Sequence, residues 1–183
     1  MKKIALSLAV SFAALTASTA FAANPMVGGA PMLESMNIVQ NALNSADHTT
    51  LVAAVKAAGL VDTLMGPGPF TVFAPTNEAF AALPAGTVET LLKPENKATL
   101  VKILTCHVVA GNALADTVKG MIQADNGKHM IKTVGGCMLT ATTKDGKIMI
   151  TDETGGTATV TIADVKQSNG VIHVIDAVLL PKM

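Results

Sequence analysis

The sequence contains no Arg, no Trp and no Tyr, and five Phe are its only aromatic side chains other than His. Proteins that bind nucleic acid usually present clustered Lys and Arg, with aromatic side chains that stack on the bases. Here the 13 basic side chains are all Lys, and they are scattered along the chain. The composition therefore excludes nucleic acid as a partner class.

Sequence signatures of catalysis are also lacking. No G-x-S-x-G, no H-E-x-x-H and no Gly-rich phosphate loop occurs, and the "GPGP" at residues 66–69 holds two Pro, which have no backbone N–H to donate. None of the four His has another His at i, i+4 spacing. We therefore predict that the protein is not an enzyme and that it uses no cofactor.

Residues 1–22 have the pattern of a secretory signal peptide. Lys2 and Lys3 form a basic start, the apolar run at 4–15 is too short to span a membrane, and small residues follow as far as Ala22. After cleavage, 11 basic side chains face 13 acidic ones, and no later apolar run is long enough to cross a bilayer. We predict an exported protein, either secreted or periplasmic, with no membrane span in its mature part.

The order of the secondary-structure signals predicts an α+β domain. Helical spacing of apolar residues dominates the first half, and alternating or β-branched runs dominate after residue 106, with no βαβ alternation. The turn residues at 144–146 indicate a β-hairpin. We predict a Gly- and Pro-rich flexible lead at 23–31 and a single domain at 32–183, with a mostly antiparallel sheet.

Two Cys, Cys106 and Cys137, lie in the mature part of the chain. An even count in an oxidising compartment favours a disulfide between them. Two buried thiols, or a metal site that also uses His107 and His173, remain as alternatives. The run at 105–111 is interpreted as a strand, in which neighbouring side chains point to opposite faces, and this argues against Cys106 and His107 holding one ion.

A polar trio interrupts the apolar pattern in "GPFTVFAPTNEAF", residues 68–80. Thr76, Asn77 and Glu78 could be the working groups of a chemical site, or they could join a strand to a helix. Pro75 ends the β-branched run, and the Thr76 hydroxyl is positioned to cap the helix that follows. We interpret the trio as a structural joint.

This stretch, "ILTCHVVAG" at 103–111 and "SNGVIHVIDAVLLP" at 168–181 resemble the three signature segments of the fasciclin-like domain. The likeness covers residues 32–181 and indicates a secreted bacterial single-domain member. It implies a wedge-shaped β-sandwich of about seven strands, with several helices from the N-terminal half packed on it. It also implies adhesion or protein binding, as a rule without catalysis. The resemblance implies structural roles for Phe70, Pro75, Thr76, Asn77, Phe80, Asn169, Gly170, His173 and Asp176.

The middle segment departs from the family pattern, because Cys106-His107 stands where Tyr-His is usual. The paired gain of Cys106 and Cys137 implies a covalent link between the strands that carry them. In animal relatives the Tyr-His region and an Asp-Ile pair take part in receptor binding. The matching positions make His107, Asp164 and Val165 candidate partner-binding residues, although the missing Tyr argues against an animal type of receptor.

Two function classes follow from these observations. The first is an exported binding or adhesion module that recognises a protein or a glycan at the cell surface or in the extracellular matrix. The second is a periplasmic carrier of a small molecule or metal ion, which would use an apolar cleft between helices and sheet. A sizeable apolar pocket would favour the carrier, and an exposed apolar patch would favour the adhesin. Met26, Met32 and Met36 could bind Cu(I) or fill the core.

Overall fold

The computed structural model describes residues 24–182, so the predicted signal peptide lies outside the described residues. Within this range the chain forms nine strands and seven α-helices, with 3₁₀ turns at Ala46–His48 and Pro94–Asn96. The elements in chain order are β1 Met26–Val27, β2 Ala30–Pro31, α1 Ile38–Asn44, α2 Thr49–Ala58, α3 Val61–Met65, β3 Phe70–Pro75, α4 Asn77–Ala81, α5 Thr87–Leu91, α6 Lys97–Cys106, β4 Val108–Ala110, α7 Ala115–Ala124, β5 His129–Lys132, β6 Met138–Lys144, β7 Lys147–Thr151, β8 Thr157–Gln167 and β9 Gly170–Ile175.

Strands β3 to β9 form one seven-stranded sheet in the order β4-β3-β9-β8-β7-β6-β5. All neighbours are antiparallel except β3 and β9, which run parallel from the Phe70–Gly170 pair to the Pro75–Ile175 pair. Strands β4 and β5 therefore lie at the two edges of the sheet. The prediction of an α+β domain with about seven strands is confirmed.

The sheet separates two apolar cores. Successive residues of a strand point to opposite faces, and in β3 Val72 packs into a core shared with helices α1, α2 and α6, whereas Phe73 packs into a second core. Leu139 and Ile150, from the other half of the sheet, lie in this second core with Phe73. The long strand β8, with register shifts on both sides of Ile162, pairs with β9 in one half and β7 in the other. The two halves of the sheet thus face each other as in a sandwich.

Two local predictions in the middle of the chain are wrong. Cys106 is the last residue of helix α6 and does not lie in a strand, because the apolar spacing of Leu100, Ile103 and Leu104 continues to the buried Cys106 side chain. Helix α7 is not among the predicted elements, because the sequence pattern after residue 106 is interpreted as mostly β structure. Its buried positions nevertheless have helical spacing; they are Ala115, Val118 and Ile122.

The segment predicted as a flexible lead contains a small hairpin. Strands β1 and β2 pair antiparallel, and the backbone of Ala46 donates a hydrogen bond of 3.2 Å to the Gly28 carbonyl. Val27 is only 3% exposed and belongs to the helix-side core. Gly28 and Gly29 form the turn of this hairpin, which packs on the domain.

Candidate partner-binding site

Two members of the polar trio after strand β3, Thr76 and Asn77, are occupied by hydrogen bonds within the domain. The Thr76 hydroxyl accepts a bond of 3.3 Å from the backbone of Ala79, which caps helix α4. The Asn77 amide donates to the Ala46 carbonyl (2.8 Å), and its oxygen accepts from the backbone of Thr50 (3.0 Å) and the hydroxyl of Thr49 (3.1 Å). Asn77 thereby joins α4 to the start of α2, and these contacts fit the interpretation of the trio as a structural joint.

The turn before strand β9 makes a second internal joint. The Asn169 side chain accepts a bond of 3.0 Å from the backbone of Ile38 at the start of α1, and it donates to the carbonyls of Leu64 (2.8 Å) and Gly66 (2.9 Å) at the end of α3. At Gly170 a Cβ atom would overlap the Phe70 carbonyl oxygen, so the close approach of β3 and β9 requires Gly.

Three further residues of the implied structural set lie around these joints. Pro75 and Phe80 are buried in and just after the strand-to-helix junction. Asp176 is exposed, and its carboxylate accepts a bond of 2.6 Å from the backbone of Thr159, which ties the end of β9 to the start of β8.

His107 is an interior residue and does not form part of the surface. Its side chain is 2% exposed; Nδ1 donates to the Ile103 carbonyl (2.8 Å), and Nε2 accepts from the backbone of Leu179 (2.9 Å). Burial is the largest influence on this imidazole and lowers its pKa to about 4, so the ring is neutral at neutral pH. His107 therefore has no free polar atom to offer a partner, contrary to its place among the candidate partner-binding residues.

Asp164 is the candidate that reaches the surface. It lies in the irregular part of β8 with φ = 57°, an uncommon conformation for a residue other than Gly, and its side chain is half-buried. Its carboxylate accepts a bond of 2.7 Å from the backbone of Ala115 at the start of helix α7. The neighbouring Val165 is fully buried, so it supports this segment from inside and cannot contact a partner.

His173 holds the Asp164 segment from within the sheet. Its Nδ1 accepts a bond of 3.2 Å from the backbone of Asp164, and its Nε2 donates to the Ala113 carbonyl (2.7 Å). The ring stacks on Phe73 with 5.7 Å between centroids. Burial lowers the pKa of His173, so both bonds are made by the neutral imidazole. His173, which lies in the third signature segment, thus positions the backbone of Asp164.

The structure has a disulfide between Cys106 and Cys137, whose Cα atoms are 5.4 Å apart, within the usual range. It joins the end of helix α6 to the turn before β6, so the link is not between two strands as the resemblance implied. The same region is held by a bond of 3.0 Å from the backbone of Gly135 to the Thr105 carbonyl. Within residues 24–182 no group of three or more His, Cys, Asp or Glu could hold a metal ion.

An apolar cavity of about 40 Å³ lies between the helices and the sheet. Its walls come mainly from α1, α2, α3 and the sheet, and His107 is one of the lining residues. Ligand pockets for small molecules usually measure about 300–1,000 Å³. None of the helices described between residues 24 and 182 has the length and apolar character needed to span a membrane.

The family model for the fasciclin domain matches residues 46–181. The chain belongs to the fasciclin domain family. Protein sll1483 of Synechocystis sp. is 55% identical over 149 residues, which cover 81% of this chain and 76% of that protein. Immunogenic protein MPB70 of Mycobacterium bovis is 36% identical over 168 residues, covering 87% of this chain and 77% of that protein.

The fold comparison agrees with this assignment. A FAS1 domain pair from the insect cell adhesion molecule fasciclin I superimposes with a TM-score of 0.71 at 18% identity, covering 79% of this chain. The match covers 51% of that structure, so this fasciclin domain spans about half the length of the pair. At this identity the likeness shows the fold alone. The resemblance in the three signature segments is confirmed.

Proposed function

We propose that this fasciclin domain protein is an exported, non-enzymatic module that binds a protein or a glycan at the cell surface or in the extracellular matrix. The signal-peptide pattern of residues 1–22 supports export. The adhesive role of the insect molecule whose domain pair shares this fold supports a binding function. The observation that carries the proposal is the strained, half-buried Asp164 at the surface of the sheet.

Asp adopts positive φ more readily than most residues, and Asn126 and Asp145 do so in turns. Asp164 does so inside a strand, where the surrounding structure must hold it, and such positions are concentrated at functional sites. Here His173 and the start of helix α7 hold Asp164 from two sides. A cavity of about 160 Å³ adjoins it, with Ala115 and Ala163 in its wall. Lys119 and Lys147 also line this cavity. A carboxylate and two ammonium groups on a rigid surface suit the polar groups of a protein or a glycan.

The carrier alternative gains no support from the apolar cavity. Its volume of about 40 Å³ is several-fold below that of ordinary ligand pockets. Both ring nitrogens of His107, a polar side chain in its wall, are already hydrogen-bonded to the backbone. A ligand of carrier size would require the helices to separate from the sheet.

The test is affinity capture from the cell envelope and the surroundings of the source cells, with the mature protein as bait. Asp164→Asn removes the charge, while Asn tolerates positive φ and keeps an acceptor for the Ala115 backbone. Lys147→Glu reverses a charge in the wall of the adjoining cavity, and Lys93→Glu is a matched control on an exposed loop between α5 and α6.

We expect one protein or glycan to be retained by the wild type and by Lys93→Glu, and to be reduced at least ~10-fold by Lys147→Glu and Asp164→Asn. Retention of only a pigment, a lipid or a metal ion by the wild type would replace the proposal with the carrier. A captured partner that is insensitive to both Asp164→Asn and Lys147→Glu would show that binding uses another surface.

A further inference from the structure

Edge strand β4 has main-chain groups that no neighbour uses. The backbone of Phe73 donates to the His107 carbonyl (2.9 Å), and the backbone of Gly111 donates to the Pro69 carbonyl (2.9 Å), so these positions face β3. Main-chain groups alternate in direction along an antiparallel pair, and those of Ala110 therefore point away from β3. In the described part of the chain, neither the N–H nor the C=O of Ala110 has a hydrogen-bond partner.

Strand β5, at the other edge of the sheet, also has main-chain groups without a hydrogen-bond partner in the described residues. The backbone of Thr133 donates to the Cys137 carbonyl (2.9 Å), so the groups of Ile131 face β6 and those of Met130 and Lys132 point outwards. Neither Met130 nor Lys132 has a main-chain partner on its outer side among residues 24–182. Unpaired edges of this kind can accept an additional strand.

Strands β4 and β5 border a single cleft of about 270 Å³, which includes Ala110, Met130 and Lys132 in its walls. One end of the cleft is closed by a bond of 2.8 Å from the backbone of Val134 to the Val108 carbonyl. The disulfide lies near this closed end, since Cys106 is two residues before β4 and Cys137 directly precedes β6. The hydrogen bond and the disulfide together tie the two edges at this end.

The side chains of the cleft give it an apolar interior and a basic rim. Val118 and Ile131 are buried members of the sheet-side core, and Met121 and Met130 are 40% and 59% exposed. Lys132 is the charged side chain at the rim, and the His129 side chain also lines the wall. The His129 ring is 2.6 Å from the carboxylate of Asp125, and Lys132 has no acidic partner within hydrogen-bonding distance in the described structure.

We propose that this cleft binds an extended peptide segment of a partner protein, which adds a strand alongside the free edge of β5. The main chain of the peptide would pair with Met130 and Lys132, as in other complexes formed by strand addition. Alternate side chains of a strand face opposite sides, so an apolar residue would enter beside Val118 and Met121, and a carboxylate on the outer face would meet Lys132. The unpaired main-chain groups favour an extended backbone, and the ammonium group of Lys132 in the wall favours an acidic residue beside it. The cleft shares no lining residue with the cavity that adjoins Asp164, so each proposal can fail without the other.

The first experiment measures whether the edges are free and what they accept. In the 15N-labelled mature protein, the amides of Ala110, Met130 and Lys132 should exchange with solvent at least ~10-fold faster than that of Ile131, which pairs with β6. Pools of phage-displayed heptapeptides with alternating apolar residues should then be selected, with acidic, neutral or basic residues at the other positions. We expect enrichment of acidic peptides, and their synthetic copies should slow exchange at Met130 and Lys132.

The second experiment uses a matched pair of variants with a selected acidic peptide. Met130→Pro removes an outward N–H, and because that N–H makes no bond to β6, Pro is tolerated at this edge. Met130→Ala removes the side chain and keeps the N–H. We expect Met130→Pro to weaken binding more than ~10-fold and Met130→Ala less than ~3-fold. Lys132→Glu should reverse the preference from acidic to basic peptides, and it tests the site independently if the Pro variant fails to fold.

Three results would overturn the proposal. The first is that no pool yields a peptide that shifts the amides of β5. The second is that Met130→Pro and Met130→Ala weaken binding equally, which would mean that side chains alone make the contact. The third is protection of the β4 and β5 amides that increases with protein concentration, which would make a second copy of this chain the occupant of the cleft.

Discussion

Replacing His107 by Gln should reduce the loss of stability that this protein suffers in mild acid. The neutral ring is enclosed in the core, donates to the Ile103 carbonyl and accepts from the Leu179 backbone. A proton on Nε2 would remove that acceptor and leave a buried charge. Burial accordingly lowers the pKa of His107 to about 4, whereas the unfolded chain keeps a value near 6.5.

The sign of the effect follows from proton binding. Between pH 4 and pH 6.5 the unfolded chain takes up a proton at His107 and the folded protein does not, so the free energy of unfolding falls as the pH is lowered through this window. Above pH 6.5 both states are neutral and the contribution is constant. With these two pKa values the loss between pH 7 and pH 5 is about 2 kcal/mol. Burial also lowers the pKa of His48 and of His173, so both add losses of the same sign.

The assay is urea unfolding of the wild type and of His107→Gln at half-unit steps from pH 4.5 to pH 7.5. Gln supplies one donor and one acceptor and does not titrate in this range. We expect the variant to be less stable at pH 7 but to lose about 2 kcal/mol less than the wild type on going to pH 5. Ile103→Val is the control, because it should lower the free energy of unfolding by the same amount at every pH and leave its pH dependence unchanged. Parallel curves for the wild type and His107→Gln would refute the neutral, buried assignment of His107.

Two further predictions test the joints around the site. Asn77→Ala should lower the free energy of unfolding by about 1–3 kcal/mol, because it leaves the Ala46 carbonyl and the Thr50 backbone N–H unpaired. Urea unfolding measures this change. The control is Glu78→Ala, at an exposed position, which should change the free energy of unfolding by less than ~0.5 kcal/mol. Equal losses in the two variants would argue against a structural role for Asn77. Reduction of the Cys106–Cys137 bond should raise the protein mass by two hydrogens and lower the free energy of unfolding by about 3.7 kcal/mol, from the loop that a sequence separation of 31 closes. An unchanged mass, or a melting temperature unaffected by reductant, would contradict this prediction.

The parts of the fold that were predictable are those encoded by local signals. Thr76 accepts from Ala79, as expected for a helix cap, and Asp145 and Gly146 both adopt positive φ in the predicted hairpin turn. Helix α7 escaped prediction because Gly120, a poor helix former, weakens its helical signal. The parallel pairing of β3 with β9 joins segments about 100 residues apart, and no local pattern specifies such a contact.

The candidate site was less predictable, because surface position depends on tertiary packing. His107 follows a helix whose apolar face points inwards, and its ring is therefore drawn into the core with that face. Asp164 and Val165 are neighbours in sequence, yet the irregular stretch of β8 turns only Asp164 towards solvent. The cleft between β4 and β5 could not be identified at all, since it exists only where the two edges of one sheet approach each other.

The positions that identify the family are therefore mostly unsuited to selecting a partner. His107, His173 and Asn169 are buried, and their polar atoms are bonded to backbone groups of the domain itself. Such residues can be shared by relatives with unrelated partners, because they fix the geometry of the fold and leave its surface free to differ. Under the two proposals made above, specificity comes from groups outside that set, namely the Asp164 carboxylate and the outward main-chain groups and Lys132 side chain of β5. Because the disulfide fixes the second of these, reduction should weaken a peptide bound at β5 more than a partner bound at Asp164.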